Sequence, residues 1–593
     1  MRTIGVATTG TKSFKGEKTV HRKESNSAGP TGSLSLSERI GQKPLRYALV
    51  VVIGITGALL TIGFYFMYLL LWNETFFVIT HFAWSSFVCA ALALSLSFML
   101  VKQFAQMKTM GSGTHTVLET YHLKDGDITL TDTLVKPLAA VFTMGFGGSA
   151  GPEGPSMLVG GGVASNISKL FRVKVSDMRR IFIAGAAAGL TAVFRTPLTG
   201  ILFALEIPYK RDLEMQTFVE ASLATVPAYL IAILILGTER LFGTVTPGQI
   251  TMSDVGMALV MGILCGAYSV FYTELFSAFD RLAGYLRSRI GTLSMLSLGT
   301  LVLGAAGYVS VYSFGTGLNL IAELVNGTSL TVSFLFFIIL LKTVTTSVTL
   351  NFGGSGGLFF PTIVIGASVG ALFSLATGDN NRILFIAIGM AALLAGTHKI
   401  LLTPTAFVVE TLGGACAIPA LLASGVSYLV SGDCSFYPLQ PRGRHQTEEL
   451  ALERLFYKAK VLIPEKLEAT MASDFMTLNP IAVSSRTAIK NALELFEKTR
   501  LRVLPVVDEG KRVLGTVTME DLANLDFKQL NMTLSEALIR KPLMINVETS
   551  LREVAELMME KEEDHMFVVD ENMKLLGVIS GIDVARKILE LTT

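Results

Sequence analysis

The sequence predicts an α-helical domain that crosses a membrane many times and is built from two related halves, followed by a small α/β domain. Three observations carry this prediction. Long apolar runs carry no charge. A Gly/Pro-rich segment occurs twice. Beyond about residue 440 the charge density returns to ordinary values, and short β-like runs alternate with amphipathic helices.

The chain is 51% hydrophobic and only 16% charged, too little charge for a water-facing surface. Tyr47–Asn73, Gly291–Ala322 and Thr343–Gly378 are uncharged, and Thr75–Val101 carries only His81. Each exceeds the roughly 20 residues that a helix needs to cross a bilayer. About ten or more membrane-embedded helices are expected, some too short or too glycine-broken to span alone. The net charge of +2 implies no nucleic-acid partner. Cys89, Cys265, Cys416 and Cys434 lie too far apart for a metal pattern and read as small buried residues.

In chain order, residues 1–45 are polar and basic (Lys12, Lys15, Lys18, Arg22, Lys23, Arg39, Lys43), with too long a charged stretch for a cleavable signal. They read as a cytosolic tail held by the positive-inside preference. Residues 46–440 form the membrane domain, with halves at about 46–210 and 250–438. A linker occupies 441–469, and two α/β units occupy 470–530 and 531–593. Both termini are expected on the cytosolic side of a plasma or inner membrane.

The halves are legible as a repeat. Phe146-Gly-Gly-Ser-Ala-Gly-Pro-Glu-Gly-Pro155 matches Phe352-Gly-Gly-Ser-Gly-Gly-Leu-Phe-Phe-Pro361 at an offset of 206 residues. Gly160 answers Gly366, and Glu206 answers Glu410 at the nearby offset of 204. Duplicated halves with Gly-broken helices point to a transport site at the repeat interface.

An anion in a bilayer needs a field weaker than a full lysine charge, or it would not leave. Backbone N–H groups at a helix start supply one. Three segments have the matching form of a glycine loop before a helix: Met110–Gly113, Gly147–Pro155 and Gly353–Pro361. Ser112 adds a hydroxyl. Glu153 is the single acid between Asp132 and Asp177, and an acid there is costly unless it has a function. Its carboxylate can fill the anion site in place of the ion and leave on protonation, which makes it a gate and a candidate proton carrier.

At these residues the chain resembles the CLC family of chloride channels and chloride/proton antiporters. The resemblance covers nearly the whole chain. Gly111–Gly113 is similar to the family's GSGxP segment, with Ser112 as the central-site serine. Gly151–Pro155 is similar to its G(K/R)EGP segment, with Glu153 as the gating glutamate. Gly357–Pro361 is similar to its GxFxP segment. The resemblance implies an inverted repeat, a homodimer with one pore per subunit, and chloride bound by Ser112, Gly154, Leu358, Phe359 and Tyr437. Three departures stand out. His115 replaces a common proline, so the start of that helix is open. Pro152 replaces a basic residue beside the gate. Ile207 stands where many antiporters carry a second, proton-transferring glutamate after the one matched by Glu206.

The C-terminal region is itself duplicated. Both units end in Gly-x-(Val/Ile)-(Ser/Thr)-x-x-Asp, at Gly515–Asp521 and Gly577–Asp583. This resembles a tandem pair of CBS domains. The resemblance implies adenine nucleotide (ATP, ADP or AMP) held by Thr518 with Asp521, or by Ser580 with Asp583. The alternative is a dimerisation module with an empty cleft.

The expected function is therefore chloride or small-anion transport, as a channel or a weakly proton-coupled antiporter, regulated by the CBS pair. No cofactor is required and no enzyme activity is implied. A tightly coupled chloride/proton antiporter is the alternative. A CBS-containing divalent-cation transporter is remote, since it would need clustered pore carboxylates, which the apolar runs lack.

Overall fold

The computed structural model describes residues 43–443 apart from 244–247, 249, 329 and 379–380. It also describes 452–592 apart from 453–454, 457–458, 461, 500, 502, 524–531, 537–540 and 562. The tail expected over 1–45 lies almost wholly outside the described residues, and so does part of the expected linker.

Among the described residues, seven helices are long and apolar enough to cross a membrane: Arg46–His81, Ser85–Phe104, Met215–Leu236, Met252–Arg289, Thr292–Val309, Val332–Asn351 and Phe359–Thr377. Four shorter apolar helices accompany them: Pro197–Glu206, Arg382–His398, Leu402–Leu412 and Gly414–Val430. Helix is the form such sequence takes in lipid, where every backbone N–H and C=O must bond within the chain. The outward faces are apolar, with Leu70, Leu234 and Leu429 all largely exposed, as lipid contact requires.

The repeat is visible as paired hydrogen bonds. Gly148 N donates to Thr143 O, and Gly354 N donates to Thr349 O, closing the same turn in each half. The halves then cross over. Ser149 N donates to Thr349 Oγ1 at 3.1 Å, and Ser355 N donates to Thr143 Oγ1 at 2.9 Å. Glycines let the following helices touch: a Cβ on Gly160 would strike Gly185 and Gly189, and one on Gly366 would strike Gly389.

The C-terminal region has two small sheets. Strands Thr477–Leu478, Leu575–Ser580, His565–Val569 and Met544–Ile545 form one, in that spatial order. Strands Val483–Ser484, Val503–Val507 and Val513–Thr518 form the other. Thr477–Leu478 belongs to the first unit by sequence but pairs antiparallel with Leu575–Ser580 of the second, so the units share a sheet. Leu452, Phe456 and Ala459, from the expected linker, pack into the core of the second unit beside Val554 and Met558.

Candidate anion site

The three glycine loops meet. Gly111 and Ser112 pair in parallel with Ser355 and Gly356. Gly151 N donates to Gly357 O at 2.9 Å, bridging the second loop to the third. A Cβ on Gly113 would lie 2.6 Å from the Gly154 carbonyl carbon, and one on Gly154 would lie 2.8 Å from Thr114 N. Only glycine allows this approach. Three helix starts, Gly113–Leu123, Glu153–Leu170 and Phe359–Thr377, therefore converge on one buried spot with their positive ends together.

The Glu153 side chain occupies that spot and is fully buried. Phe359 N donates to its Oε1 at 2.5 Å, and the Phe360 amide faces the same group. A Cβ on Gly357 would collide with Oε1, and one on Gly151 with Oε2, so the two glycines shape the seat. Oε2 has no hydrogen-bond partner among the described residues. Leu358, just before the helix, is fully buried as well.

Ser112 is buried and caps the Gly113–Leu123 helix, its Oγ accepting from Thr114 N at 3.2 Å. The helix left open by His115 thus starts at Gly113 without the proline. Tyr437 is completely buried, with its Oη beside the Thr114 hydroxyl. Two histidine rings flank it, His115 with a centroid distance of 5.1 Å and His398 at 5.4 Å. His398, isolated in the sequence, is brought here by the end of its helix.

The structure adds Tyr272 to this set. Its Oη is also buried, beside the Thr346 hydroxyl, and its ring lies 4.8 Å edge-on to Phe436. It lies mid-way along the apolar helix Met252–Arg289, where nothing in the sequence singles it out. Lys342 is a second addition. It is buried, and its Nζ donates to Gly315 O at 2.8 Å. Gly315 N in turn donates to Gly147 O at 2.9 Å, which places the Lys342 amine behind the second glycine loop.

Glu206 is a cap. Its carboxylate accepts from Leu401 N, Leu402 N, Thr403 N and Thr403 Oγ1 at 2.5–3.1 Å. Glu410 does the same for the other half, accepting from Leu198 N, Thr199 N and Thr199 Oγ1. Each glutamate lies in the last turn of one short helix and satisfies the orphan donors at the start of its counterpart. Ile207 is buried, and Gln440 Nε2 donates to its carbonyl at 3.0 Å.

In the C-terminal region, Thr518 Oγ1 donates to Asp521 Oδ2 at 2.7 Å, and Ser580 Oγ to Asp583 Oδ2 at 2.6 Å. Each pair closes the turn from strand to helix. The two pairs lie in different sheets.

Comparison with known proteins agrees with this architecture. The family model described as voltage gated chloride channel matches residues 93–432, and the CBS domain model matches 472–527 and 534–590. The uncharacterized protein MJ0305 of Methanocaldococcus jannaschii is 29% identical over 324 residues, covering 54% of this chain and 79% of that protein. Chloride channel protein CLC-f of Arabidopsis thaliana is 25% identical over 441 residues, 66% of this chain but only 56% of CLC-f. The fold is similar to that of a CLC-type fluoride/proton antiporter, with a TM-score of 0.61 at 23% identity, covering 68% of this chain and 99% of that structure. Glycine loops that meet at a buried seat, two cross-linked halves and the match over residues 93–432 lead to one conclusion: the chain is a membrane-spanning member of the voltage gated chloride channel family that carries a C-terminal pair of CBS domains.

Proposed function

We propose that the protein carries chloride or a similar small anion across its membrane through the Gly113/Glu153/Phe359 junction, with Glu153 as the gate and only weak coupling to protons. The observation that carries this is the position of the Glu153 carboxylate on the Phe359 amide, where three helix starts converge. A site that holds a carboxylate by backbone N–H groups suits a halide equally well. The buried hydroxyls of Tyr437, Tyr272 and Thr114 are donors of the kind an anion would use. In this reading Ser112 and Tyr437 bound a second anion position on the side from which the chain leaves toward the CBS pair.

Weak coupling follows from Ile207, a hydrocarbon where the family resemblance implies a proton-transferring acid, and from Glu206, whose carboxylate is committed to four donors. The test is chloride flux from liposomes, with the reversal potential read against a pH gradient. Chloride flux with little uphill proton movement is expected. A fixed, large proton-to-chloride ratio would establish tight exchange instead, and no chloride flux would reject the anion reading.

Two further outcomes are expected. Ser112→Ala with Tyr437→Ala should weaken chloride binding in calorimetry roughly thirtyfold, each lost hydroxyl contact counting for about 1 kcal/mol. Unchanged binding heat and stoichiometry would place the site elsewhere. We also assign the CBS pair a regulatory role through adenine nucleotide held by Thr518 with Asp521 or by Ser580 with Asp583. Asp583→Ala or Asp521→Ala should then lower ATP, ADP or AMP affinity about tenfold. The absence of any nucleotide heat in the unaltered protein would leave the pair as a dimerisation module of a homodimer.

A further inference from the structure

His398 ends the helix Arg382–His398 and is completely buried. Its ring lies among Tyr437, Phe436, Phe359 and Phe203, with centroid distances of 5.4, 5.5, 6.2 and 6.3 Å. Thr397 Oγ1 spends its proton on Leu393 O at 2.8 Å, so it accepts from His398 Nδ1–H at 2.9 Å. That sets the tautomer and leaves the lone pair on Nε2. Nε2 is buried and has no partner among the described residues. Buried polar atoms are nearly always paired, and an unpaired imidazole lone pair is a proton acceptor.

Its place in the fold matters as much. Gln440 Nε2 lies 3.0 Å from Ile207 O and 3.1 Å from His398 O. One amide thus ties the backbone at the position that lacks an acid to the backbone of His398. On one side of the ring is Phe359, whose amide holds Glu153. On the other is Tyr437 and, beyond it, His115, which is partly exposed. His115 Nε2–H donates to Phe436 O at 2.8 Å. The remaining titratable neighbours are engaged or lie further off. Glu206 is held by the 401–403 amides, Lys399 Nζ donates to Tyr428 O and Ser431 Oγ, and Tyr272 stands behind Phe436.

We propose that the His398 imidazole is the proton-carrying group on the Tyr437 side of the anion path, serving where position 207 has no carboxylate. Nε2 accepts a proton from solvent that enters past His115, giving an imidazolium with N–H on both nitrogens. It releases that proton, over water in the anion path, to the Glu153 carboxylate. Glu153 becomes the neutral acid and leaves its seat, and His398 returns to the Nδ1–H tautomer. A single imidazole held among aromatic rings carries few protons, in keeping with weak coupling. An anion beside Tyr437 favours the imidazolium, so anion binding and proton uptake are reciprocal.

This inference rests on the Glu153-gated reading, and its experiment separates the two. Chloride and proton fluxes are read together from liposomes holding the full-length protein under a chloride gradient. The unaltered protein should move a small but measurable number of protons. His398→Gln should lower the proton-to-chloride ratio roughly tenfold or more while chloride efflux persists. Adding Ile207→Glu to His398→Gln should restore proton movement, since the new carboxylate is carried by backbone that shares Gln440 with His398. A chloride-conducting protein with no linked protons, or a ratio unchanged by His398→Gln, would overturn the assignment. A binding measurement reads His398 without transport. In Glu153→Gln, chloride binding followed by calorimetry in buffers of different ionisation heat should take up a proton, and His398→Gln added to it should abolish that uptake. Chloride bound without proton uptake while His398 is present overturns the proposal, and an absence of chloride binding and flux altogether overturns the anion reading on which it stands.

Discussion

Glu153→Gln is expected to raise chloride flux at neutral pH roughly tenfold, the gain where a competing group holds a site most of the time. The carboxylate now sits on the Phe359 amide in a cradle shaped by Gly151 and Gly357. What keeps it there is its charge at the convergence of three helix starts. Glutamine keeps the size but lacks the charge, so the hold weakens and the anion takes the seat. The sign with pH follows. In the unaltered protein flux should rise as acid neutralises Glu153, and in Glu153→Gln it should be high at all pH and lose most of that rise. Flux in proteoliposomes between pH 4.5 and 7.5 measures this, and an unchanged pH profile in the variant would remove Glu153 from the gate.

Glu206→Ala is expected to destabilise the membrane domain by roughly 3 kcal/mol, the cost of stripping a buried carboxylate from several charge-assisted hydrogen bonds. Glu206 is 5% exposed. Without it, the amides of Leu401, Leu402 and Thr403 at the head of the Leu402–Leu412 helix lose their acceptor. Glu410→Ala should act the same way on the Pro197–Glu206 helix through Leu198 and Thr199, more weakly because Glu410 is partly exposed. Thermal unfolding in detergent reads both. The proton-to-chloride ratio of the protein that remains folded should not change in either. A Glu206→Ala protein with unaltered melting and altered proton movement would make Glu206 a proton carrier instead of a cap.

Much of this architecture was legible in the sequence because its signals are local. Uncharged runs give spans by length alone, and a match at a constant offset gives the two halves. The glycine loops were legible as candidate anion contacts because glycine and proline before an apolar run have few other uses. That Glu206 cannot stand in for an acid at position 207 is also local, since neighbouring helical residues point about 100° apart. What the sequence hid is what depends on long-range packing. That Gly111–Ser112 would pair with Ser355–Gly356 follows from no spacing within either segment. Tyr272 and Lys342 sit in long apolar helices whose periodicity does not mark the inward face. His398 looked isolated because its neighbours Tyr437 and His115 come from distant segments. The reciprocal capping by Glu206 and Glu410 was visible only as a repeated letter at an offset of 204.

The competition between the Glu153 carboxylate and the transported anion is tested most directly by bromide in crystals of the protein, located by its anomalous scattering. In Glu153→Ala, a bromide peak is expected at the Phe359 and Phe360 amides, in the seat between Gly151 and Gly357 that the carboxylate now fills. In the unaltered protein at neutral pH that seat should hold the carboxylate and no bromide. A variant with an empty seat, or bromide on those amides beside an undisplaced Glu153, would contradict the competition and with it the gate.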